Sequence, residues 1–281
     1  MILIADGGST KVDWVALDSN KKELFRVQTK GINPSVLNPD EIICRIKESN
    51  ILINAANEVE KVFFYGAGCG TQKPIELLKN IFQNIFNKAI VHVHEDMLAA
   101  VYASSGNKKA IVCILGTGSN SCYFDGEKLH YIPSLGYSIM DEASGNYFGK
   151  KLLRDFYYKK MPKKLRTYFK EIYNLEPDYV KENLYKKESP NMYLASYAKF
   201  MLEHKNKKYI KKLVKKGFKE FFKYRISYYK QKNVPVYFIG SIAYYFQSIL
   251  EEVAKNLNYN IEGIIQRPID NLIKYHKETN L

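Results

Sequence analysis

The chain has 281 residues, 46% of them hydrophobic and 14% aromatic, and carries a formal net charge of +14. That is enough apolar material for a large core and two domains of ordinary size, which excludes a disordered chain. No stretch approaches the roughly 18–20 uninterrupted apolar residues of a membrane span, and no basic-then-apolar leader opens the sequence, so the expected location is the cytoplasm with no membrane partner.

In chain order, Met1–Ala5 is an apolar run that ends in Asp6-Gly7-Gly8-Ser9-Thr10-Lys11, and a second run, Val12–Leu17, leads to Asp18-Ser19-Asn20. The order is strand, glycine-hydroxyl turn, strand. Glu23–Thr29 is a third strand, and Ile42, Ile43, Ile46, Ile51 and Leu52 at helical spacing predict a helix over 39–57. Lys61–Ala67 is a buried strand ending in the glycine-rich loop to Gly70; a helix over 74–86, a strand over 89–93 and a helix over 96–104 follow. The pattern is βββαβαβα.

After Ser105-Gly106-Asn107-Lys108 the pattern restarts. Ile111–Leu115 runs into Gly116-Thr117-Gly118-Ser119-Asn120 and then into Cys122-Tyr123-Phe124, so a second glycine-hydroxyl hairpin stands about a hundred residues after the first. Strands are predicted at 110–115, 119–125 and 127–132, a helix from 144, helices through 163–230, a strand at 236–239, a helix at 243–257, a strand at 259–264 and a helix at 268–278. The fold class is therefore α/β with the unit duplicated. The expected domains are 1–104, with the helix from 268 packing back on it, and 105–267 with a helical insertion over about 160–230.

Glycines let a backbone approach a phosphate closely, and Ser and Thr hydroxyls add neutral donors, so each hairpin is a phosphate-binding candidate. Neither contains the Gly-x-x-x-x-Gly-Lys-Ser/Thr pattern that grips phosphate at one helix N-terminus. Cys44, Cys69, Cys113 and Cys122 form no Cys-x-x-Cys pair and read as reduced structural thiols. The positive charge is concentrated between Lys150 and Lys232, where lysines lie on the polar faces of amphipathic helices; a nucleic-acid partner is not expected.

Taken together, Asp6-Gly-Gly-Ser-Thr-Lys11, His94-Glu-Asp-Met-Leu-Ala-Ala100, Leu115-Gly-Thr-Gly-Ser-Asn120, Pro133-Ser-Leu-Gly136, Asp141-Glu142-Ala-Ser-Gly145 and Phe238-Ile-Gly-Ser-Ile242 resemble the BadF-type ATPase and N-acetylglucosamine kinase family, within the actin, Hsp70 and hexokinase superfamily. The resemblance implies two ribonuclease H-like, actin-like ATPase domains with a nucleotide cleft between them, and ATP with Mg²⁺ as cofactors. It implies a first phosphate loop of Asp6, Gly7, Gly8, Ser9, Thr10 and Lys11, with Asp6 holding Mg²⁺ through water. Gly116, Thr117, Gly118 and Ser119 would form the second loop, and Gly240-Ser241 the adenosine contact. Asp96, which read locally is a helix N-cap, would by family position be the general base. Asn33, Ser134, Gly136, Asp141 and Glu142 are the candidate sugar contacts, Asn33 reading equally well as a solvated turn residue. Family members usually carry Gly at position 140 and often at 143, where this chain has Met140 and Ala143, so the substrate loop is expected to differ.

The function implied is ATP-dependent phosphorylation of an N-acetylated amino sugar, N-acetylglucosamine or N-acetylmuramic acid; a homodimer is compatible with the sequence. Two alternatives remain: an ATPase that activates a partner enzyme through a shared iron–sulfur cluster, and a nucleotide-binding regulator without chemistry.

Overall fold

The computed structural model describes residues 1–279 and divides into two compact units, Met1–Gly106 with the segment from Pro268, and Asn107–Arg267. In the first unit, β1 (Ile2–Gly7), β2 (Lys11–Leu17), β3 (Glu23–Lys30), β4 (Lys61–Gly66) and β5 (Ile90–Glu95) form one sheet in the order β3-β2-β1-β4-β5. The first three are antiparallel, while β4 pairs parallel with both β1 and β5. The second unit repeats this with β6 (Ala110–Leu115), β7 (Ser119–Phe124), β8 (Leu129–His130), β9 (Val236–Ile239) and β10 (Ile261–Ile265), ordered β8-β7-β6-β9-β10. Again three strands are antiparallel and two parallel pairs follow. The duplication expected from the strand pattern is therefore a duplication of topology.

The central strands β1, β2, β4 and β6 are largely apolar runs because both faces of the sheet are covered there, while the edge strand β3 is exposed or half-exposed along its length. One side of the first sheet packs Trp14, Phe64 and Phe82 into a fully buried aromatic cluster, with Trp14 edge-on to Phe82 at 5.9 Å. Trp14 Nε1 donates to Thr29 Oγ1, so its polar edge is not left orphaned. The other side carries Ile4, Val15 and Phe63 against the helices Asp96–Ser104 and Ile269–Glu278. These two helices are pinned by Asn271 Nδ2 donating to Ala103 O and by stacking of Tyr102 on Tyr275 at 4.2 Å.

Three predicted elements differ. The helix expected over 39–57 breaks at Glu48–Ser49, because Ser49 accepts a hydrogen bond from Leu52 N and so caps a second short helix, Asn50–Asn54. The helix expected over 243–257 breaks likewise at Phe246. The third strand of the second unit shortens to two residues, since Asp125 accepts from the backbone N–H groups of Glu127 and Lys128 and curls the chain there.

Candidate functional site

In the first unit the β1–β2 hairpin closes through Gly8 N donating to Lys11 O at 2.9 Å, which leaves Ser9 and the exposed Thr10 at the tip. Neighbouring chain fixes that tip: Gly31 N donates to Thr10 O, and Asn33 Nδ2 donates to Ser9 Oγ at 3.2 Å. Asn33 also accepts from Ser35 N and packs against Gly68, whose left-handed φ of 82° and lack of a Cβ leave space for it. Asn33 is thus tied to the turn rather than freely solvated. A Cβ on Gly7 would stand 2.6 Å from the Phe64 ring, so this glycine is required by packing as well as by any ligand.

Asp6 and Asp13 lie directly opposite across β1 and β2. Asp13 is buried and satisfied by Lys11 Nζ at 2.7 Å and by Gln28 Nε2. Burial, then Asp13 and Asp96, push the Asp6 carboxyl up to about 7 against the opposing pull of Lys11. Lys11, placed in the phosphate loop by the sequence, is committed to Asp13. Asp13 is a residue that sequence reasoning missed; its signal was a lone carboxylate inside the apolar run of β2.

The helix Asp96–Ser104 starts where β5 ends, with Glu95 as its extended N-cap residue and Asp96 as its first helical residue. Asp96 is therefore not the cap. Burial lifts its carboxyl to about 6, partly offset by the backbone N–H groups of Met97 and of Asp96 itself. Burial and the neighbouring Asp96 raise Glu95 to about 7, and burial with both carboxylates raises the Cys69 thiol to about 12. The carboxylates of Asp6, Asp13, Glu95 and Asp96 outnumber the lysine beside them. Such an environment fits a divalent cation brought in with a polyphosphate. Among the described residues no three His, Cys, Asp or Glu side chains converge to hold a metal by themselves, so a magnesium ion here would depend on Asp6, water and phosphate oxygens.

In the second unit the β6–β7 turn is closed by Gly116 N donating to Gly118 O at 3.0 Å. It is knitted to the helix Gly145–Tyr157: Gly145 N donates to Gly116 O and Asn146 N to Thr117 O. Asp141 is buried, with Oδ1 accepting from Ser119 N and Oδ2 from Asn146 Nδ2 at 2.7 Å. Gly240, at φ 112°, lets the β9 end cross the β6 end, since a Cβ there would lie 2.5 Å from Leu115 O; Ser241 then opens a short helix. Ser134 is exposed and Gly136 has φ 75°, both in the loop before Asp141.

Met140 does not take a left-handed conformation. Asp141 and Ala143 do, at φ 70° and 60°, while Met140 Sδ accepts from Leu135 N and closes the loop. The strain expected at 140 thus falls on its neighbours, of which Asp tolerates it better than Ala.

No family model matches the sequence, and no curated protein matches it. Among solved structures, the chain is 34% identical over 100% of both chains, at a TM-score of 0.92, to a Porphyromonas gingivalis protein provisionally named an N-acetylglucosamine kinase. The chain belongs to the N-acetylglucosamine kinase family. A Chromobacterium violaceum protein, also provisionally named an N-acetylglucosamine kinase, shares the fold at TM-score 0.74 with 13% identity over 98% of both chains. A ROK-family glucokinase from Streptomyces griseus, solved with glucose and AMPPNP, matches at TM-score 0.57 with 13% identity over 99% of both chains. At this identity these two likenesses show the shared fold alone.

Proposed function

We propose that the protein transfers the terminal phosphoryl group of ATP directly to a hydroxyl of an N-acetylated amino sugar, N-acetylglucosamine or N-acetylmuramic acid. The observation that carries this reading is Asp96, a buried carboxylate raised to about 6 at the first turn of a helix, in a chain 34% identical to a protein provisionally named an N-acetylglucosamine kinase. A sugar hydroxyl is a poor nucleophile at neutral pH, and a base of this strength suits its deprotonation.

In the step itself, the sugar oxygen forms a bond to the terminal phosphorus, its proton passes to Asp96, and the bond from that phosphorus to the bridging oxygen breaks to release ADP. Magnesium, when bound, neutralises phosphate charge. Asp6 would hold it, and Thr10 and Lys11 would serve the terminal phosphates, Lys11 while still paired with Asp13. Backbone N–H groups and hydroxyls of Gly7, Gly8 and Ser9 and of Gly116, Thr117, Gly118 and Ser119 would line the phosphates, and Gly240 and Ser241 the adenosine. Asn33, Ser134 and Gly136 are the proposed sugar contacts. Asp141 joins them because each of its oxygens keeps a lone pair beyond the bonds it already accepts.

The iron–sulfur alternative asks for cysteines at a surface, whereas Cys69, Cys113 and Cys122 are buried and only Cys44 is exposed among the four. The test is a panel of amino sugars incubated with ATP and Mg²⁺ and scored by ADP release. Stimulation by an N-acetylated amino sugar supports the reading; ADP release indifferent to every sugar overturns it.

A further inference from the structure

Arg225 is the most conspicuous side chain that the proposed chemistry leaves unexplained. It lies in a single π-helical turn, Phe222–Ile226, which follows the helix Lys208–Phe221, and is only 2% exposed. Among the described residues, none of its three guanidinium nitrogens has a hydrogen-bond partner, and its Nε pairs with Glu142 Oε2 at 3.6 Å. That oxygen is itself buried and without a hydrogen-bond partner. Desolvating the Arg225 guanidinium and the inner oxygen of the Glu142 carboxylate is costly, and attraction at this distance only partly offsets it. A helix-end position in a lysine-rich segment could hold an apolar residue at less cost, so packing does not account for an arginine here.

The place of Glu142 in the chain supplies an account. It stands between the two left-handed residues Asp141 and Ala143, a conformation that persists only where the surroundings impose it. The same segment carries Asp141, which accepts from Ser119 N at the second glycine turn, and leads into Gly145 and Asn146, whose N–H groups bond to Gly116 O and Thr117 O. Drawing Glu142 inward therefore fixes the turn that aims Asp141 at Gly118–Ser119.

We infer that Arg225 is a positioning residue: by holding the Glu142 carboxylate inward it locks the left-handed segment 141–143 and so sets the geometry of both the proposed sugar loop and the second glycine turn. Glu142 then serves as the anchor of this loop and not as a sugar contact. The inference rests on the kinase reading for its kinetic consequence and stands apart from it for its structural one.

The experiment compares wild type with Arg225→Met, Arg225→Lys, Glu142→Gln and the double variant Arg225→Met/Glu142→Gln. It measures kcat and KM for N-acetylglucosamine and hydrogen exchange by peptide. For Arg225→Met, exchange should rise about tenfold or more in 116–121 and 141–148 while the helix 208–221 and the first unit keep wild-type protection, and kcat/KM for the sugar should fall about tenfold or more. Arg225→Lys should recover part of both, and Glu142→Gln should reproduce the loop exchange. A protein with Met at 225 that keeps wild-type loop exchange and sugar kcat/KM overturns the inference, as does loss of protection spread evenly over the second unit. Should that variant fail to fold, the double variant decides, because it leaves no unpaired buried charge: raised exchange confined to the two loops upholds the inference, and wild-type exchange overturns it. Absence of sugar phosphorylation in the wild type would sink the kinase reading alone, since the exchange comparison does not depend on turnover.

Discussion

The two glycine turns share a place in the same strand order, yet they are built from different chemistry. Around β1–β2 the surroundings are ionic: Asp6 faces Asp13, Lys11 bridges back to Asp13, and Asp96 lies close enough to raise Asp6. Around β6–β7 the turn meets backbone groups and hydrogen-bonded side chains, with Asp141 accepting from Ser119 N and Asn146 Nδ2. The glycines differ in the same sense. Gly7 is pressed by Phe64, whereas a Cβ on Gly116 would meet nothing within 4 Å. On the proposed reading one turn would take the metal and the proton transfer, and the other would meet phosphate with neutral donors. Duplicated topology does not imply duplicated chemistry.

The sharpest way to break this comparison is to remove the basicity of the ionic side. Asp96→Asn keeps shape, and kcat for the sugar should fall by about two orders of magnitude or more while ATP affinity stays at the wild-type value in calorimetry. Near-wild-type turnover would reduce Asp96 to a structural residue.

The first unit also buries a histidine whose protonation costs stability in acid. His276 is buried, bonded to Tyr65 OH at 2.9 Å, and held down to about 4 by burial and by His94. An unfolded histidine titrates near 6.5, so the unfolded chain binds a proton that the native state refuses; the stability is complete above about pH 6.5 and lost as pH falls toward 4. Between pH 7 and pH 5 the stability of wild type relative to His276→Gln should fall by about 2 kcal/mol in thermal unfolding, a difference that cancels the opposite contribution of the raised carboxyls of Asp6, Glu95 and Asp96. A pH profile identical in the two proteins would remove His276 as the cause.

The glycines give a smaller, opposed pair of effects. Gly7→Ala should destabilise by about 1–3 kcal/mol through overpacking against Phe64. Gly116→Ala should leave the melting temperature near wild type and raise the ATP Kd about tenfold, equal to about 1.4 kcal/mol. The reverse assignment of stability and binding losses would invert the comparison. Smallest of all, Thr10→Ala with Thr117→Ala should raise the ATP Kd several-fold, about 1 kcal/mol, without unfolding, as read by calorimetry.

Much of the architecture was legible because strand and turn signals are local. Alternating apolar runs interrupted by Gly and hydroxyl residues marked both hairpins, and the repeat of that order announced the second sheet. Helix breaks were less legible: Ser49 sits among isoleucines at helical spacing, and only its bond to Leu52 N shows that it caps. Residues acting at long range were the hardest to read. Arg225 is one cation among many in a basic stretch, and its approach to Glu142, across more than eighty positions of sequence, leaves no periodic trace. The left-handed bend at Asp141 and Ala143 was half visible, as a departure from glycine, but the residue that bears it could not be assigned without the backbone.

The central claim is transfer of phosphate to a sugar, and the most direct measurement is ³¹P NMR of the protein with ATP, Mg²⁺ and N-acetylglucosamine or N-acetylmuramic acid. The account predicts a sugar phosphomonoester resonance growing in step with ADP for one of these sugars, and its loss in Asp96→Asn. ADP accompanied only by inorganic phosphate, whichever sugar is present, would contradict it and point to an ATPase instead.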